Sequence, residues 1–350
     1  MYKNQPTSKQ ILEYVWIDIE GNLRSKIKVM QSTKNPVTDV SGCPIWNFDG
    51  SSTGQSSGDV SDVILSPVRI YKNPLIEYPN SLLVLCECLN RDMTPHESNH
   101  RPKCADASDK FESFECLFGI EQEYILFERN KIPYKWQSIN DPGIGGQGPY
   151  YCAVGGDRAF GREISEEHLL CCLKAGINIC GTNAEVMPSQ WEFQIGTCDM
   201  LNVSDDLYMA RFLLNKITEK YNCIASFHPK PFEKWNGSGG HTNFSTKQMR
   251  EENGIEYIYD ACVKMSNKHV EHINVYGVDN DKRLTGIHET SSIHKYTYAP
   301  LNRNCSIRIP LQVCNDKCGY LEDRRPSANL NPYLVTEIMV RTICQNTNVG

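Results

Sequence analysis

Residues 118–128, FGIEQEYILFE, constrain the fold more than any other short segment of the chain. Their β-branched, aromatic and aliphatic content predicts a β-strand. Because side chains two residues apart in a strand lie on the same face, Glu121 and Glu123 would project together, about 7 Å apart. Two interpretations of this pair are open. It belongs either to a solvent-exposed strand face or to a site that uses carboxylates.

The overall composition is that of an ordinary globular protein. The chain has 350 residues and a net charge of −6, and its charges are interspersed. We therefore expect small-molecule partners, and neither nucleic acid nor a membrane. No apolar run approaches the roughly 20 residues that cross a bilayer, and the first residues, MYKNQPTSKQ, lack the apolar core of a signal peptide. A cytoplasmic location is the resulting expectation.

Sixteen cysteines are spread through the chain, often within apolar runs such as LLVLCECL. In a chain of this length, that distribution is typical of small reduced core residues and not of a disulfide scaffold. Cys314 and Cys318 lack the CxxC spacing of common zinc sites, so we expect no zinc there.

Two domains are predicted, 1–100 and 101–350. Strand-like segments dominate residues 11–89 and indicate a small β-rich unit, and the polar, proline-containing stretch at 90–109 marks the boundary. Beyond it, strands and helices mix, which favours a mixed sheet backed by helices. The predicted strands lie at 119–127, 178–186, 190–196, 223–227, 240–245 and 305–310. The predicted helices begin at caps Ser165 and Ser204, and a third spans 254–272.

The segment 181–196, GTNAEVMPSQWEFQIG, predicts a β-hairpin. With a four-residue turn at 187–190, Glu185 would lie directly opposite Glu192. Two carboxylates about 5 Å apart repel by roughly 3 kcal/mol at an effective dielectric near 20, so they need protons, a cation or open water. We favour magnesium or manganese, which suit all-oxygen carboxylate sites, and two solvated glutamates are the alternative.

Polar loops add groups that suit anions. In KWNGSGGHTNFS, at 234–245, a glycine-rich loop leads into a strand that carries His241, so backbone N–H groups and an imidazole could approach a bound anion. Arg303 and Arg308 lie in NRNCSIRIP, and LEDRRPSAN adds a glutamate and two arginines. Arginines of this kind bind phosphates and carboxylates, and surface salt bridges are the alternative. Together with the carboxylates, they favour a site for divalent metals and anionic substrates.

Seven longer strings make the chain resemble the glutamine synthetases of the eukaryotic type II class. They are WNFDGSSTGQ, GIEQEY, GPYYCAVGGDRAFGRE, AGINICGTNAEVMPSQWEFQIG, KWNGSGGHTNFSTKQMREENG, RLTGIHET and GYLEDRRPSAN. The resemblance implies an α+β protein, with a small N-terminal β-grasp-like domain followed by a catalytic domain whose curved, mainly antiparallel sheet is backed by helices. It also implies two stacked pentameric rings, a homo-decamer, with active sites between adjacent subunits.

The same resemblance implies an activity. This is ATP-dependent ligation of ammonia to L-glutamate through γ-glutamyl phosphate, giving L-glutamine, ADP and phosphate for nitrogen assimilation or ammonia detoxification. Two or three Mg²⁺ or Mn²⁺ ions per site are implied, with ATP as substrate. The positions that match ligands of one metal are Glu123, Glu185 and Glu192. Those that match ligands of the second are Glu121, His241 and Glu322.

Other positions match substrate and catalytic residues of the family. Asp49 and Ser52 match the ammonium site, where Asp49 would deprotonate ammonium. Glu289 matches a flap residue that covers the intermediate and excludes water. The positions matching the amino-acid end of glutamate are Asn236 and Gly237. Those around the glutamate, phosphate and transferred phosphoryl oxygens are Arg283, Arg303, Arg308 and Arg324. Those near ATP are Asn243, Ser245 and Tyr320.

Three positions depart from the family pattern. Leu117 replaces an aromatic residue and Thr197 replaces a proline, both toward the nucleotide end, and His228 stands where an acidic residue is common. Two other functions are open besides the ligase. A catalytically silent relative would be expected to lose metal ligands or phosphate-binding arginines, and all are present. A ligase for another amine is disfavoured by the intact FDGSS and IHET strings.

Overall fold

A computed structural model describes residues 9–31, 36–136 and 148–345. Within these ranges the chain forms two compact units. The first comprises the described part of Met1–Pro102 together with Leu170–Ile177 and Tyr208–Phe212. The second comprises the described parts of Lys103–Leu169, Asn178–Leu207 and Leu213–Gly350. No helix in the described ranges is both long and apolar enough to cross a membrane.

The first unit contains a five-stranded sheet in the order β2-β1-β5-β4-β3. Its strands are β1 Lys9–Ile17, β2 Leu23–Gln31, β3 Trp46–Asp49, β4 Asp62–Lys72 and β5 Leu82–Leu89. The β1–β5 pair is parallel and the other neighbours are antiparallel. Leu12, Tyr14 and Trp16 alternate along β1 and enter one buried cluster, as the period of a strand requires.

The second unit contains an eight-stranded sheet in which β6 is central. Its order is β11-β12-β13-β10-β6-β8-β7, and β9 pairs with the end of β6. The pairs are antiparallel except β11–β12, which is parallel. The strands are β6 Leu117–Glu128, β7 Ile179–Ala184, β8 Gln190–Cys198, β9 Cys223–Ser226, β10 Gly240–Ser245, β11 Tyr298–Pro300, β12 Ile307–Ile309 and β13 Leu321–Asp323.

Eight α-helices lie in the described ranges, and some are amphipathic. In α5, Ile258, Ala261, Cys262 and Met265 are buried at the spacing of one helix face, and this helix packs against α8 and α4. The helices are α1 Arg101–Lys110, α2 Arg162–Ala175, α3 Met200–Lys220, α4 Lys247–Arg250, α5 Ile255–Asn267, α6 His269–Ile273, α7 Leu311–Asp316 and α8 Pro332–Cys344. The predicted α+β class is confirmed.

The predicted helix starts are wrong. Helix α3 begins four residues before Ser204, because the carboxylate of Asp199 accepts a hydrogen bond from Asn202 N at 2.8 Å and caps the first turn. Ser204 is instead buried inside the helix, where its hydroxyl donates to Met200 O. Ser165 likewise lies inside α2. The predicted third helix is two helices, α5 and α6, interrupted at Lys268.

The β7–β8 hairpin has its turn where predicted, but its register differs by two residues. Gln190 N donates to Met187 O at 3.1 Å, which closes the turn. However, Glu192 lies opposite Asn183 and not opposite Glu185. Gln190 O accepts a hydrogen bond from Glu185 N at 2.8 Å, and the side-chain oxygen of Gln190 accepts another from Met187 N at 3.0 Å. An even shift keeps Glu185 on the same face as Glu192.

Candidate active site

A cavity of about 600 Å³ lies in the second unit. It is lined mainly by side chains of β6, β8 and β10 and by the loops at 236–239, 288–290 and 303. The predicted site residues that line it are Glu121, Glu123, Glu185, Glu192, Asn236, Gly237, His241, Arg283, Glu289, Arg303, Arg308 and Arg324. Residues from distant parts of the sequence therefore share one opening.

Three glutamates form the first group that could hold a metal ion. Glu123, Glu185 and Glu192 offer carboxylate oxygens that all lie within 4.8 Å of one another. The β6–β8 register places Glu123 directly opposite Glu192, and Glu185 follows the end of β7. The sheet therefore builds the group, because residues on adjacent strands fix two of its members.

Burial changes the acidity of this group. It raises the pKa of Glu123, of Glu185 and of Glu192 to about 8, and neighbouring carboxylates add to each rise. Three buried carboxylates that are all ionised cost free energy. They must therefore hold protons or bind a cation. The donor set fits a hard divalent cation such as Mg²⁺ or Mn²⁺, which prefers oxygen ligands.

Glu121, His241 and Glu322 form the second group, again with ligand atoms within 4.8 Å of one another. His241 lies opposite Glu121 in the β6–β10 ladder, with its Nδ1 3.6 Å from Glu121 Oε2 and 3.8 Å from Glu322 Oε1. Burial lowers the pKa of His241 well below its ordinary value, and Arg324 adds to the effect. The imidazole is therefore neutral, which is the form that binds metals.

Hydrogen bonds orient both carboxylate groups. Glu123 Oε2 accepts from Gly239 N at 2.9 Å and from Gln190 Nε2 at 3.2 Å. Asn243 Nδ2 donates to Glu121 Oε1 at 2.9 Å. Asn183 donates to Glu185 at 3.1 Å. Gln190 and Asn183 were missed by the sequence reasoning, although each lies two residues from a predicted glutamate and so on its face of the strand.

Arginines border the second group. Arg324 Nη1 donates to Glu322 Oε1 at 2.7 Å, and Arg308 Nε donates to the other oxygen of the same carboxylate. Arg324 also donates to the carbonyl of Arg303 at 3.1 Å. Glu322 is fully buried, and its single negative charge is shared by two guanidinium groups, so a net positive charge remains. The cavity thus combines carboxylates with a cationic side suited to phosphate or carboxylate oxygens.

Two buried polar atoms in the cavity wall have no hydrogen-bond partner within the described residues: Arg283 Nη1 and Asn236 Oδ1. An unsatisfied buried polar group is costly, so each is a natural contact for a polar ligand. Burial lowers the pKa of Arg283 to about 10, which leaves it charged at neutral pH. Arg283 Nη2 donates a hydrogen bond to Arg324 O at 2.7 Å, which fixes the guanidinium group.

The loop that carries Glu289 forms another part of the wall. His288 and Glu289 both have positive φ, 56° and 58°, and both line the cavity with Thr290. Arg324 Nη2 donates to the carbonyl of Glu289 at 3.4 Å. Tyr151, His288 and Thr290 were not singled out from the sequence, since no spacing connects them to the glutamates.

The other predicted residues do not line this cavity. Ser245 is buried at the end of β10 and accepts from Arg250 Nη1 at 2.9 Å, and Tyr320 is exposed just before β13. In the first unit, Asp49 caps a short 3₁₀-helix at Gly50–Thr53 and accepts hydrogen bonds from Ser51 and Ser52. The hydroxyl of Ser51 lowers the pKa of the exposed Asp49 carboxyl.

Comparisons with known proteins agree with this geometry. The family model described as glutamine synthetase, catalytic domain, matches residues 103–345, and glutamine synthetase, beta-Grasp domain, matches residues 8–91. The chain is 49% identical over 345 residues to a glutamine synthetase of Yarrowia lipolytica, covering 98% of this chain and 93% of that protein. The enzyme of Neurospora crassa is 50% identical over 333 residues, covering 95% and 91%.

A solved structure shows the same fold. The cryoEM structure of Plasmodium falciparum glutamine synthetase superposes with a TM-score of 0.76 at 18% identity, covering 98% of this chain and 73% of that one. The two family models together match nearly the whole chain, and so do the relatives that are about 50% identical to it. The chain therefore belongs to the glutamine synthetase family and is a glutamate–ammonia ligase, an enzyme that makes glutamine from glutamate and ammonia at the expense of ATP.

Proposed function

We propose that the chain makes L-glutamine through a γ-glutamyl phosphate intermediate, releasing ADP and phosphate. One observation carries this mechanism: two groups of metal-ligand side chains and four arginines lie around one cavity. Phosphoryl transfer to a carboxylate needs both, because negative charge accumulates on the oxygens of donor and acceptor. We further propose residues 1–100 as the β-grasp-like domain and 101–350 as the catalytic domain.

Two or three Mg²⁺ or Mn²⁺ ions per site complete the proposal. Glu123, Glu185 and Glu192 would hold one ion, since their raised pKa values favour a compensating cation. The second would be held by Glu121, His241 and Glu322. Bound divalent ions supply charge stabilisation for phosphate and carboxylate oxygens.

Substrate binding falls to the cationic and amide groups of the wall. Arg283, with one unpaired N–H edge, and Asn236 and Gly237 would hold glutamate. Arg303 and Arg324 would stabilise the transferred phosphoryl group, with Arg308 near the same oxygens. For the nucleotide, the proposed contacts are Asn243, Ser245 and Tyr320.

The ammonia step is assigned to other residues. Asp49 and Ser52 would bind ammonium, because the hydroxyl of Ser51 lowers the pKa of Asp49 and so favours the charged carboxylate that attracts the cation. The same carboxylate would take the ammonium proton as ammonia attacks the acyl phosphate. Glu289, in the cavity wall, would cover the intermediate and exclude water.

We also propose assembly into two stacked pentameric rings with sites shared between adjacent subunits, and a cytoplasmic location serving nitrogen assimilation or ammonia detoxification. The family resemblance supports the rings. Sedimentation of the purified chain measures its assembly: a mass ten times that of the 39.8 kDa chain supports the decamer, and a monomeric mass contradicts it.

One assay tests the reaction. ADP release is measured with glutamate and magnesium, and with either ammonium or methylamine. The proposal predicts release that requires glutamate and ammonium and yields one glutamine for each ADP. Preference for methylamine would show a ligase for another amine, and the absence of glutamine would show a catalytically silent relative.

A further inference from the structure

A pair of cysteine thiols lies outside the ligase site. The sulfur atoms of Cys116 and Cys344 are 3.6 Å apart. Cys116 directly precedes β6, and Cys344 is the last residue of α8, so the pair joins two elements far apart in sequence. A disulfide has a sulfur–sulfur distance of about 2.05 Å, so bond formation requires an approach of roughly 1.5 Å. All sixteen cysteines are free thiols, and neither member of the pair lines the 600 Å³ cavity.

The surroundings make the two thiols unequal. The hydrogen bond with Cys344 lowers the pKa of Cys116, and the Arg250 guanidinium acts in the same direction. Arg250 is held nearby, because its Nη2 donates to Glu115 O at 2.8 Å. The same thiol–thiol bond, together with burial, raises the pKa of Cys344. The Arg250 guanidinium, held beside Cys116 through Glu115 O, therefore favours a thiolate at Cys116 and makes it the attacking partner.

Access also favours Cys116. This residue lines a second cavity, of about 320 Å³, together with Leu117, Arg250 and Val340. Cys344 is only 3% exposed. A small oxidant in the second cavity would therefore meet Cys116 first, with Cys344 behind it as the resolving thiol.

We propose that Cys116 and Cys344 are a redox-active pair that hydroperoxides convert into a reversible disulfide between the start of β6 and the end of α8. The Cys116 thiolate attacks the terminal peroxide oxygen, the O–O bond breaks, and hydroxide leaves from hydrogen peroxide or alkoxide from an organic hydroperoxide, giving a sulfenic acid. The Cys344 sulfur then attacks the sulfenic sulfur and water leaves. Two thiols are oxidised and one hydroperoxide is reduced.

The test uses the purified full chain and hydrogen peroxide. After oxidation, remaining thiols are blocked with iodoacetamide and peptides are mapped by mass spectrometry. The expected early product is one cross-linked peptide pair containing Cys116 and Cys344, which has lost two hydrogen atoms and is restored by dithiothreitol. The midpoint of thermal unfolding should rise by about 3 °C or more on oxidation, since the cross-link closes a long loop.

Two variants sharpen the test. Cys344→Ser removes the resolving thiol, so Cys116 should then accumulate as a sulfenic acid that dimedone traps, with no rise in the unfolding midpoint. Cys314→Ser, at a partly exposed thiol of α7, is the matched control and should leave the cross-link intact. The proposal is overturned if other cysteines are oxidised first. It is also overturned if Cys116 proceeds to a sulfinic acid while Cys344 stays available to iodoacetamide.

Discussion

Glu123 on β6 lies directly opposite Glu192 on β8, and both side chains are buried. Together with Glu185, they form a group in which burial raises each pKa to about 8. A sheet that places carboxylates in this way loses stability when they ionise, and a cation that binds them restores it.

This relationship predicts a pH dependence of metal binding. Below pH 8 the group holds protons that a metal must displace, so the apparent affinity for Mn²⁺ should fall about ten-fold per pH unit for each proton displaced. Calorimetry at pH 6.5 and 8.5, in buffers with different ionisation enthalpies, measures both affinity and proton release. An affinity independent of pH, with no proton release, would contradict the prediction.

The same raised pKa values also determine how the stability of the metal-free protein changes with pH. Each folded-state pKa, about 8, lies above the ordinary value of 4.5, so the stabilising protonated form is fully present below 4.5 and is lost as pH rises through 8. Chelated protein should therefore unfold at lower temperature at pH 8.5 than at pH 6, and added Mn²⁺ should protect more at the higher pH.

Replacing a single glutamate of this group should stop synthesis without unfolding the chain. Glu185→Gln and Glu192→Gln each remove the negative charge of a proposed metal ligand and keep the side-chain size, so glutamine formation should fall below about a tenth of wild type at saturating magnesium. Glu166→Gln, at an exposed position of α2, is the matched control and should retain full activity. Activity above that level in both site variants would exclude the two-metal assignment.

Gln190 should position both the proposed metal-binding glutamates and the loop proposed to bind glutamate. Its Nε2 donates to Glu123 Oε2 at 3.2 Å, to Gly237 O at 3.1 Å and to Ser238 Oγ at 3.2 Å. A hydrogen bond to a charged group contributes about 1.5–3 kcal/mol, so Gln190→Leu should lower kcat/KM for glutamate by at least about ten-fold. Gln248→Leu, at an exposed position of α4, should leave steady-state kinetics unchanged. Unaltered kinetics in Gln190→Leu would contradict the positioning role of Gln190.

Much of the site could be predicted from the sequence, because strand periodicity is local. The alternation in residues 118–128 placed Glu121 and Glu123 on one face, and β6 has that geometry. The hairpin register could not be obtained in the same way, since it is set by pairing across the turn, where Glu185 N donates to Gln190 O and not to Glu192. The contacts of the Gln190 side chain could not be predicted either, because two of its partners, Gly237 O and Ser238 Oγ, lie far along the chain.

The helix starts show a second limit. Ser204 and Asp199 both resemble N-caps, and only the buried environment of Ser204 decides between them. The sequence likewise does not predict that Arg308 and Arg324 share the Glu322 carboxylate, because Arg308 lies on another strand, β12.

Removing the Glu289 side chain should uncouple ATP hydrolysis from glutamine formation. Glu289 lines the cavity and its backbone is tied to Arg324, so Glu289→Ala should admit water to the acyl phosphate and release phosphate without an equal amount of glutamine. The ratio of glutamine to ADP measures the leak. Ile287→Ala, at an exposed position of the same loop that does not line the cavity, is the control and should stay coupled. A ratio of one in Glu289→Ala would contradict the covering role.

Isotope transfer tests the central claim, that the glutamate side chain itself attacks the nucleotide in this cavity. Glutamate labelled with oxygen-18 in its γ-carboxylate is incubated with the enzyme, ATP, magnesium and ammonium, and the phosphate released is analysed by mass spectrometry. A γ-glutamyl phosphate intermediate predicts one labelled oxygen in each phosphate formed with glutamine, and no such product with Glu185→Gln. Phosphate that carries no label while glutamine accumulates would contradict the account.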